Sequence, residues 1–467
     1  MHDVDKVTDK KRILISINIL ISCIASSMLA TALTTALPPI IEDLHISVTT
    51  GQWLTSAYSL AMGIMMPLTA FLITRFPTRK LYLTALLLFI IGLFVCGIAP
   101  NFPIMMLGRI LQASGNGIMT AMAQVILLTI YPPEMRGSIM GWYGLSVGAA
   151  PVIAPTLAGV LVDAFGWRMI FYISIAIMVI ALITAYFVFG NVLPTAQKKF
   201  DRASFVISAF AFGGITLGIG NMGAYPFVSP QVLLILVIGC TAAVLFVYRQ
   251  LHLEEPFLEL RILKNKELML SVIGSMLLYF VMMGSSIIMP LYVQSIKGYS
   301  ATISGLVTLP GSLAMAIISP FAGKIYDKVG MKILFVTGAF CMVISNMGMF
   351  LISMETSVWI ASFYNVVRCM AIGCLMMPLV TWGTSKLNYE AMAHATALLT
   401  SLRTISGAIG SAIFVGIMTT VAQNSMVTYG ENASIHGLNM TFLAMAGGSI
   451  VLLLVAVFGV KKTAKIH

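Results

Sequence analysis

Residues Pro67–Thr84 read PLTAFLITRFPTRKLYLT, and residues Pro320–Thr337 read PFAGKIYDKVGMKILFVT. The two align without a gap, placing Pro67 on Pro320, Ala70 on Gly323, Arg75 on Lys328, Arg79 on Lys332 and Thr84 on Thr337. Each is a short basic loop between two apolar runs, joining the second and third spans of a six-span unit. Any basic loop between apolar helices has a broadly similar look, so the unbroken register is what makes this a repeat. Such a repeat predicts two bundles arranged about a site at the membrane midplane.

Composition says what surrounds those bundles. Of 467 residues, 59% are hydrophobic and 9% charged, with a mean hydropathy of +0.98. A soluble domain carries about 25% charged residues, so the solvent here is lipid. Length alone would suggest about three soluble domains, yet apolar stretches near the ~20 residues needed to cross a bilayer recur to the end. The net charge of +11 sits in short loops between apolar runs, a placement that argues for membrane topology and against nucleic acid. The first span follows a charged N-terminus and has no cleavage site, so no signal peptide is expected. The six cysteines (Cys23, Cys96, Cys240, Cys341, Cys369, Cys374) form no CxxC and fall within spans, as packing residues with no disulfide or metal role.

Apolar runs between turn and charge signals give fourteen spans, near 13–36, 52–73, 81–99, 103–130, 138–161, 168–190, 203–222, 231–249, 268–290, 303–322, 333–353, 357–381, 394–421 and 438–460. The expected class is an all-α membrane protein. It comprises an N-terminal six-helix bundle (1–195), two linking helices (196–260) and a C-terminal six-helix bundle (261–467). With this count Lys6, Lys10, Lys11, Arg12, Arg75, Arg79, Lys80, Arg136, Lys198, Lys199 and Arg202 share one side. So do Arg249, Arg261, Lys264, Lys266, Lys324, Lys328, Lys332, Lys386, Lys461, Lys462 and Lys465. Only Arg168 and Lys297 fall opposite, and Arg109, Arg368 and Arg403 lie within spans. One missed helix would invert every later loop, so the asymmetry supports the count and puts both termini in the cytoplasm. Spans seven and eight, uncharged between Arg202 and Arg249, are expected to be peripheral or bundle-linking.

Several motifs resemble the major facilitator superfamily, specifically its fourteen-span drug:proton antiporter branch, across essentially the whole chain. GKIYDKVG (Gly323–Gly330, including Asp327) is similar to the family's loop between the second and third helices of a half. Arg109-Ile-Leu-Gln112 followed by Gly115 and Gly117 resembles its helix-four element. Gly148-Ala-Ala-Pro151 through Ala154-Pro155-Thr-Leu-Ala-Gly159 resembles the helix-five antiporter motif. Ala36-Leu-Pro38 ends helix one as in the family, while Trp53 to Tyr58 and Gly166-Trp-Arg168-Met-Ile-Phe171 resemble that branch's hallmarks. Lincomycin-resistance-type exporters are the nearest likeness. The resemblance implies a monomeric, multi-pass transporter of a bacterial plasma membrane that uses no cofactor. It would export drugs against protons by alternating access and so contribute to antibiotic resistance.

Independent of the resemblance, Ala150, Ala154 and Ala158 recur every four residues and form a face that lets another backbone approach. Pro151 and Pro155 remove donors and loosen the helix there. Span thirteen repeats the device with Ser406/Gly410, Gly407/Ser411 and Ala408/Ala412. Both stripes fit a domain interface, or tight packing alone.

The chain also departs from the pattern. Leu29 stands where the family's helix one carries an Asp; Thr74 and Pro77 stand where the second loop has Asp327 and Gly330. All sixteen acidic residues fall in loops, tails or span ends, although proton coupling normally uses a desolvated carboxylate. Asp163 and Arg109 both lie far from the turn at Glu134, within ~5 Å of one depth. They form a candidate coupling pair, or else Asp163 merely faces water. Glu390 and His394 form an i,i+4 pair, a titratable site or a plain helix end. Arg109, Arg368 and Arg403 each cost ~2.5–3.5 kcal/mol near mid-bilayer. They therefore face a cavity that favours anionic or zwitterionic amphiphiles, or are satisfied by carbonyls, Gln112 and Asn365. Thirty-three methionines, clustered at Met62, Met65 and Met66 and at Met370, Met376 and Met377, form an adaptable wall for chemically varied ligands, or are simply apolar filler. No nucleotide loop, metal cluster or nucleophile triad is visible, so the protein is not expected to be an enzyme. Three readings remain: a proton-driven multidrug exporter, an exporter of amphiphiles such as lysolipids, and a membrane sensor that kept the fold.

Overall fold

An apolar run in lipid must satisfy its backbone groups within itself, and a helix does so. The computed structural model describes residues 8–195, 200–222 and 228–460, and it contains no strand among them. A few side chains inside helices, those of Pro151 and Pro155 included, lie outside the description. Fourteen long helices follow one another. They are α1 (Asp9–Asp43), α2 (Val48–Arg75), α3 (Thr78–Gly97), α4 (Phe102–Ile130), α5 (Arg136–Phe165), α6 (Met169–Val188) and α7 (Arg202–Asn221). Then come α8 (Pro230–His252), α9 (Lys266–Leu291), α10 (Ala301–Val329), α11 (Met331–Phe350), α12 (Val358–Thr384), α13 (Tyr389–Asn424) and α14 (Ala433–Leu454). Each span read from the sequence falls on one of them. Thirteen have described segments long and apolar enough to cross a membrane, and the remaining helix is α5.

The helix starts follow the sequence. Ser47 Oγ accepts from Thr50 N, Asn101 Oδ1 from Ile104 N, Asn265 Oδ1 from Leu268 N and Ser300 Oγ from Ile303 N. One stop differs from expectation. Helix α1 does not end at Ala36-Leu37-Pro38 but continues through Pro38 and Pro39 to Asp43. A proline's φ is already helical, and losing its own donor does not end the following turn. Asp43 Oδ2 then holds Arg168 Nη1 at 2.8 Å and Trp167 Nε1 at 3.3 Å, and the guanidinium stacks on the indole at 4.1 Å.

The chain divides into two compact units. One comprises Met1–Pro132, Ser146–Ile262 and Lys386–Ser401; the other comprises Pro133–Leu145, Leu263–Ser385 and Leu402–His467. Helices α5 and α13 thus each start in one unit and continue in the other. In the first unit α4 packs on α2 and α3, α6 on α1 and α3, and α7 on α2 and α8. In the second, α12 packs on α10, α11 and α9, and α14 on α11 and α9.

The repeat runs far beyond its basic loop. Adding 253 to a residue number carries α3 onto α11 at both ends, and carries the starts of α2 and α5 onto those of α10 and α13. It carries the Ser47 cap onto the Ser300 cap. It also carries Arg79, whose Nη2 donates to Tyr186 O at 2.7 Å, onto Lys332, whose Nζ donates to Val460 O at 2.6 Å. Both cations neutralise the carbonyl end of a sixth helix. The spacing breaks only at α14, where the extra turn Met426–Tyr429 intervenes.

The two loop copies differ in chemistry as well as sequence. Asp327 accepts from Gly137 N at 2.7 Å, Ser138 N at 2.8 Å and Ser138 Oγ at 2.6 Å, so α10 caps the first turn of α5. A Cβ on Gly323 would collide with the Gly137 carbonyl, and one on Gly137 would lie 2.5 Å from Asp327. Gly330, at φ +82, turns the chain directly into α11. Thr74, in Asp327's place, bonds Phe71 O in its own helix and nothing else among the described residues, and Glu390 replaces Gly137.

Helix α7 packs on α2, with Gly213 facing Leu60 and Ile64 and Gly214 against Gly239 of α8. Asp201 caps α7 through Ala203 N and Ser204 N and pairs with Arg249 at 2.9 Å. Burial alone would raise the Asp201 carboxyl, but the bonds from Ser204 and Arg249 together hold it below its ordinary value.

Candidate functional site

Glycines decide where α4 sits. A Cβ on Gly115 would lie 2.6 Å from the Ala85 carbonyl, and one on Gly117 3.0 Å from Met65 Cβ, so α4 is seated closely against both α3 and α2. That closeness buries Arg109 to 1% exposure. Arg109 Nε donates to the Leu54 carbonyl at 3.1 Å and Nη1 to Gln112 Oε1 at 2.6 Å, while the Tyr58 ring lies 4.1 Å beneath the guanidinium. Asn116, one turn beyond Gln112, donates to the Tyr58 hydroxyl at 2.8 Å. Gln112 Nε2 is buried without a hydrogen-bond partner. The cluster is a fixed cation with an aromatic face and amide groups, and among the described residues no carboxylate belongs to it.

In the second unit, Asn365 on α12 accepts from Arg368 Nη2 and reaches the Thr308 carbonyl of α10 at 3.5 Å. Arg403 on α13 lies 5.0 Å over the Tyr279 ring of α9. One turn on, Ser406 Oγ donates to Met276 O at 2.8 Å, and a Cβ on Gly410 would run into the Phe280 carbonyl, so α13 and α9 are closely seated here. Among the described residues, none of the ion pairs involves Arg109, Arg368 or Arg403.

Other expected residues lie apart from these clusters. The Arg109–Asp163 pair is not formed: Asp163 is exposed, and Arg109 is turned inward onto Leu54 and Gln112. Trp53 is 40% exposed and makes no part of the Arg109 cluster, unlike Tyr58. His394 is buried, and its Nδ1 receives Glu259 N at 3.4 Å. Glu390 and Arg75 are exposed. A Cβ on Gly159 would meet nothing within 4 Å, although Ala150, Ala154 and Ala158 are buried. Tyr279, Asn116 and the Leu54 carbonyl were not singled out from the sequence. Asn116 was findable, because it follows Gln112 at i+4 on the same face.

A repeated six-helix scaffold with buried polar clusters in helices of both units defines a membrane transporter of a particular build. The sequence pattern of the Major Facilitator Superfamily matches residues 19–411, and the chain belongs to that family. It is 38% identical over 418 residues to the MFS-type transporter YcnB of Bacillus subtilis (strain 168), covering 89% of this chain and 88% of that one. It is 33% identical to the lincomycin resistance protein LmrB of the same organism, covering 89% and 87%. To the multidrug export protein EmrB of Escherichia coli (strain K12) it is 27% identical, covering 81% and 74%. Among solved structures, the human organic anion transporter MFSD10 shares the fold with a TM-score of 0.65 at 12% identity, covering 95% of this chain and 100% of that one.

Proposed function

We propose that this transporter is a secondary-active exporter of amphipathic small molecules, driven by protons in antiport. In this reading the halves 1–195 and 261–467, joined by 196–260, alternate access to a site at the midplane, in a bacterial plasma membrane with both termini cytoplasmic. A single chain suffices, and membrane lipid surrounds it. The observation that carries the reading is the buried Arg109–Tyr58–Gln112–Asn116 cluster, a polar group held inside a membrane scaffold that packing alone does not require. The drug-exporting names of the relatives LmrB and EmrB support the choice of cargo.

The test is transport in proteoliposomes under an imposed pH gradient with a cationic dye. Gradient-driven dye movement that Arg109→Ala abolishes supports the reading. Movement indifferent to the gradient refutes proton antiport.

A further inference from the structure

The internal repeat shows which buried charges the scaffold can do without. Arg109 Nε donates to the Leu54 carbonyl, and 253 residues on, Ser362 Oγ donates to the Val307 carbonyl at 2.7 Å. The arginine of the first half is therefore matched by a serine in the second. By the same spacing Arg368 falls on Gly115 and Arg403 on Ala150. The first half builds the corresponding helices with a glycine and an alanine, so neither guanidinium is needed for packing the halves share. Both are nevertheless buried, at 2% and 5% exposure, and each keeps Nη1 without a hydrogen-bond acceptor. A desolvated guanidinium N–H lacking an acceptor is costly to retain, and an incoming anion relieves it.

We infer that Arg368 and Arg403 are specificity-determining residues for cargo with an anionic head, a carboxylate or phosphate joined to an apolar tail. The inference rests on the reading of the chain as an exporter of amphiphiles and adds the charge of what is exported. A planar guanidinium fork matches a carboxylate or phosphate in geometry as well as charge. Arg109 differs: its Nε and Nη1 are already spent on Leu54 and Gln112.

The experiment uses the full chain in proteoliposomes and three fluorescent probes with one tail: a lysophosphatidylglycerol, a fatty acid and an uncharged monoacylglycerol. Wild type should move the two anionic probes in preference to the uncharged one. Arg403→Ala and Arg368→Gln should each lower the anionic-to-uncharged ratio about tenfold, the worth of a lost charge-assisted hydrogen bond. Arg403→Lys should restore part of it. An unchanged ratio, or a wild type that prefers the uncharged probe, overturns the inference. Loss of the variants' cooperative melting also overturns it, because the arginines would then be structural. If wild type moves neither these probes nor the cationic dye, the exporter reading has failed; in that case, or if it moves the dye alone, binding decides the inference. An anionic amphiphile that raises the melting temperature of wild type but not of the variants supports it, and equal shifts refute it.

Discussion

The carboxylate of Asp327 gives the most direct test of how the second unit is held. It accepts two backbone N–H groups of the first turn of α5 and one hydroxyl, at 2.6–2.8 Å, and is half-buried. Asp327→Ala removes a helix cap worth ~0.5–2 kcal/mol. It also removes an anion from the positive end of a helix dipole, worth ~0.3–1 kcal/mol. The loss is about 2 kcal/mol, which lowers the melting temperature by about 4–8 °C for a unit of some 200 residues. Asp327→Asn keeps one acceptor and gives up the charge, so it should lie about midway. Thermal unfolding of the purified protein in detergent, followed by tryptophan fluorescence, reads both. Thr74→Asp supplies the matching carboxylate in the first loop. It should bring no gain, because Ala391 N already donates to Asn388 Oδ1 at 2.8 Å, and Glu390 puts a side chain and a like charge where Gly137 leaves room for a carboxylate. An Asp327→Ala protein melting within about 1 °C of wild type would refute the capping argument, as would a Thr74→Asp protein stabilised by several degrees.

Other substitutions probe the remaining contacts. Arg109→Lys offers a point charge in place of a fork that serves the Leu54 carbonyl and Gln112 together. Dye transport in proteoliposomes should fall at least about tenfold, and wild-type rates would remove Arg109 from the site. Gly410→Val would drive a side chain into the Phe280 carbonyl; at ~1–3 kcal/mol for overpacking it should lower the melting temperature by several degrees. The Asp201 carboxyl, held below its usual value, stabilises fully above the unfolded carboxylate pKa near ~3.9 and loses that stabilisation as pH falls through its folded value. Asp201→Asn should therefore melt below wild type at pH 7, with the gap closing on acidification below about pH 4. A gap that widens in acid would reverse the sign of the argument.

Hydropathy and charge were enough to reveal the fourteen helices, because a span in lipid has so few structural options. The repeat was legible at its basic loop, where Arg79 and Lys332 meet the same demand from a helix end. It faded elsewhere, because the scaffold reuses positions and not residue types: Arg109 and Ser362 make one kind of bond with unrelated side chains. The site was partly readable. Buried arginines stand out against lipid, and Gln112 and Asn365 were nameable as their partners. Their true orientation was not, since depth along a helix put Arg109 level with Asp163 while rotation turned it toward α2. The continuation of α1 past Pro38 was hidden for a similar reason, in that proline removes a bond without forbidding the turn.

That continuation has a mechanical consequence. With Pro38 and Pro39 inside α1, the carbonyls of Thr34 and Thr35 have no amide four residues ahead to receive. The rod can flex there without breaking any hydrogen bond, while Asp43 fastens its last turn to Arg168 and Trp167. The helix behaves as a lever with a soft joint near one end and a clamp beyond it. In hydrogen–deuterium exchange, the amides of Ile40 to Asp43 should trade their protons well before those of Ile15 to Leu33.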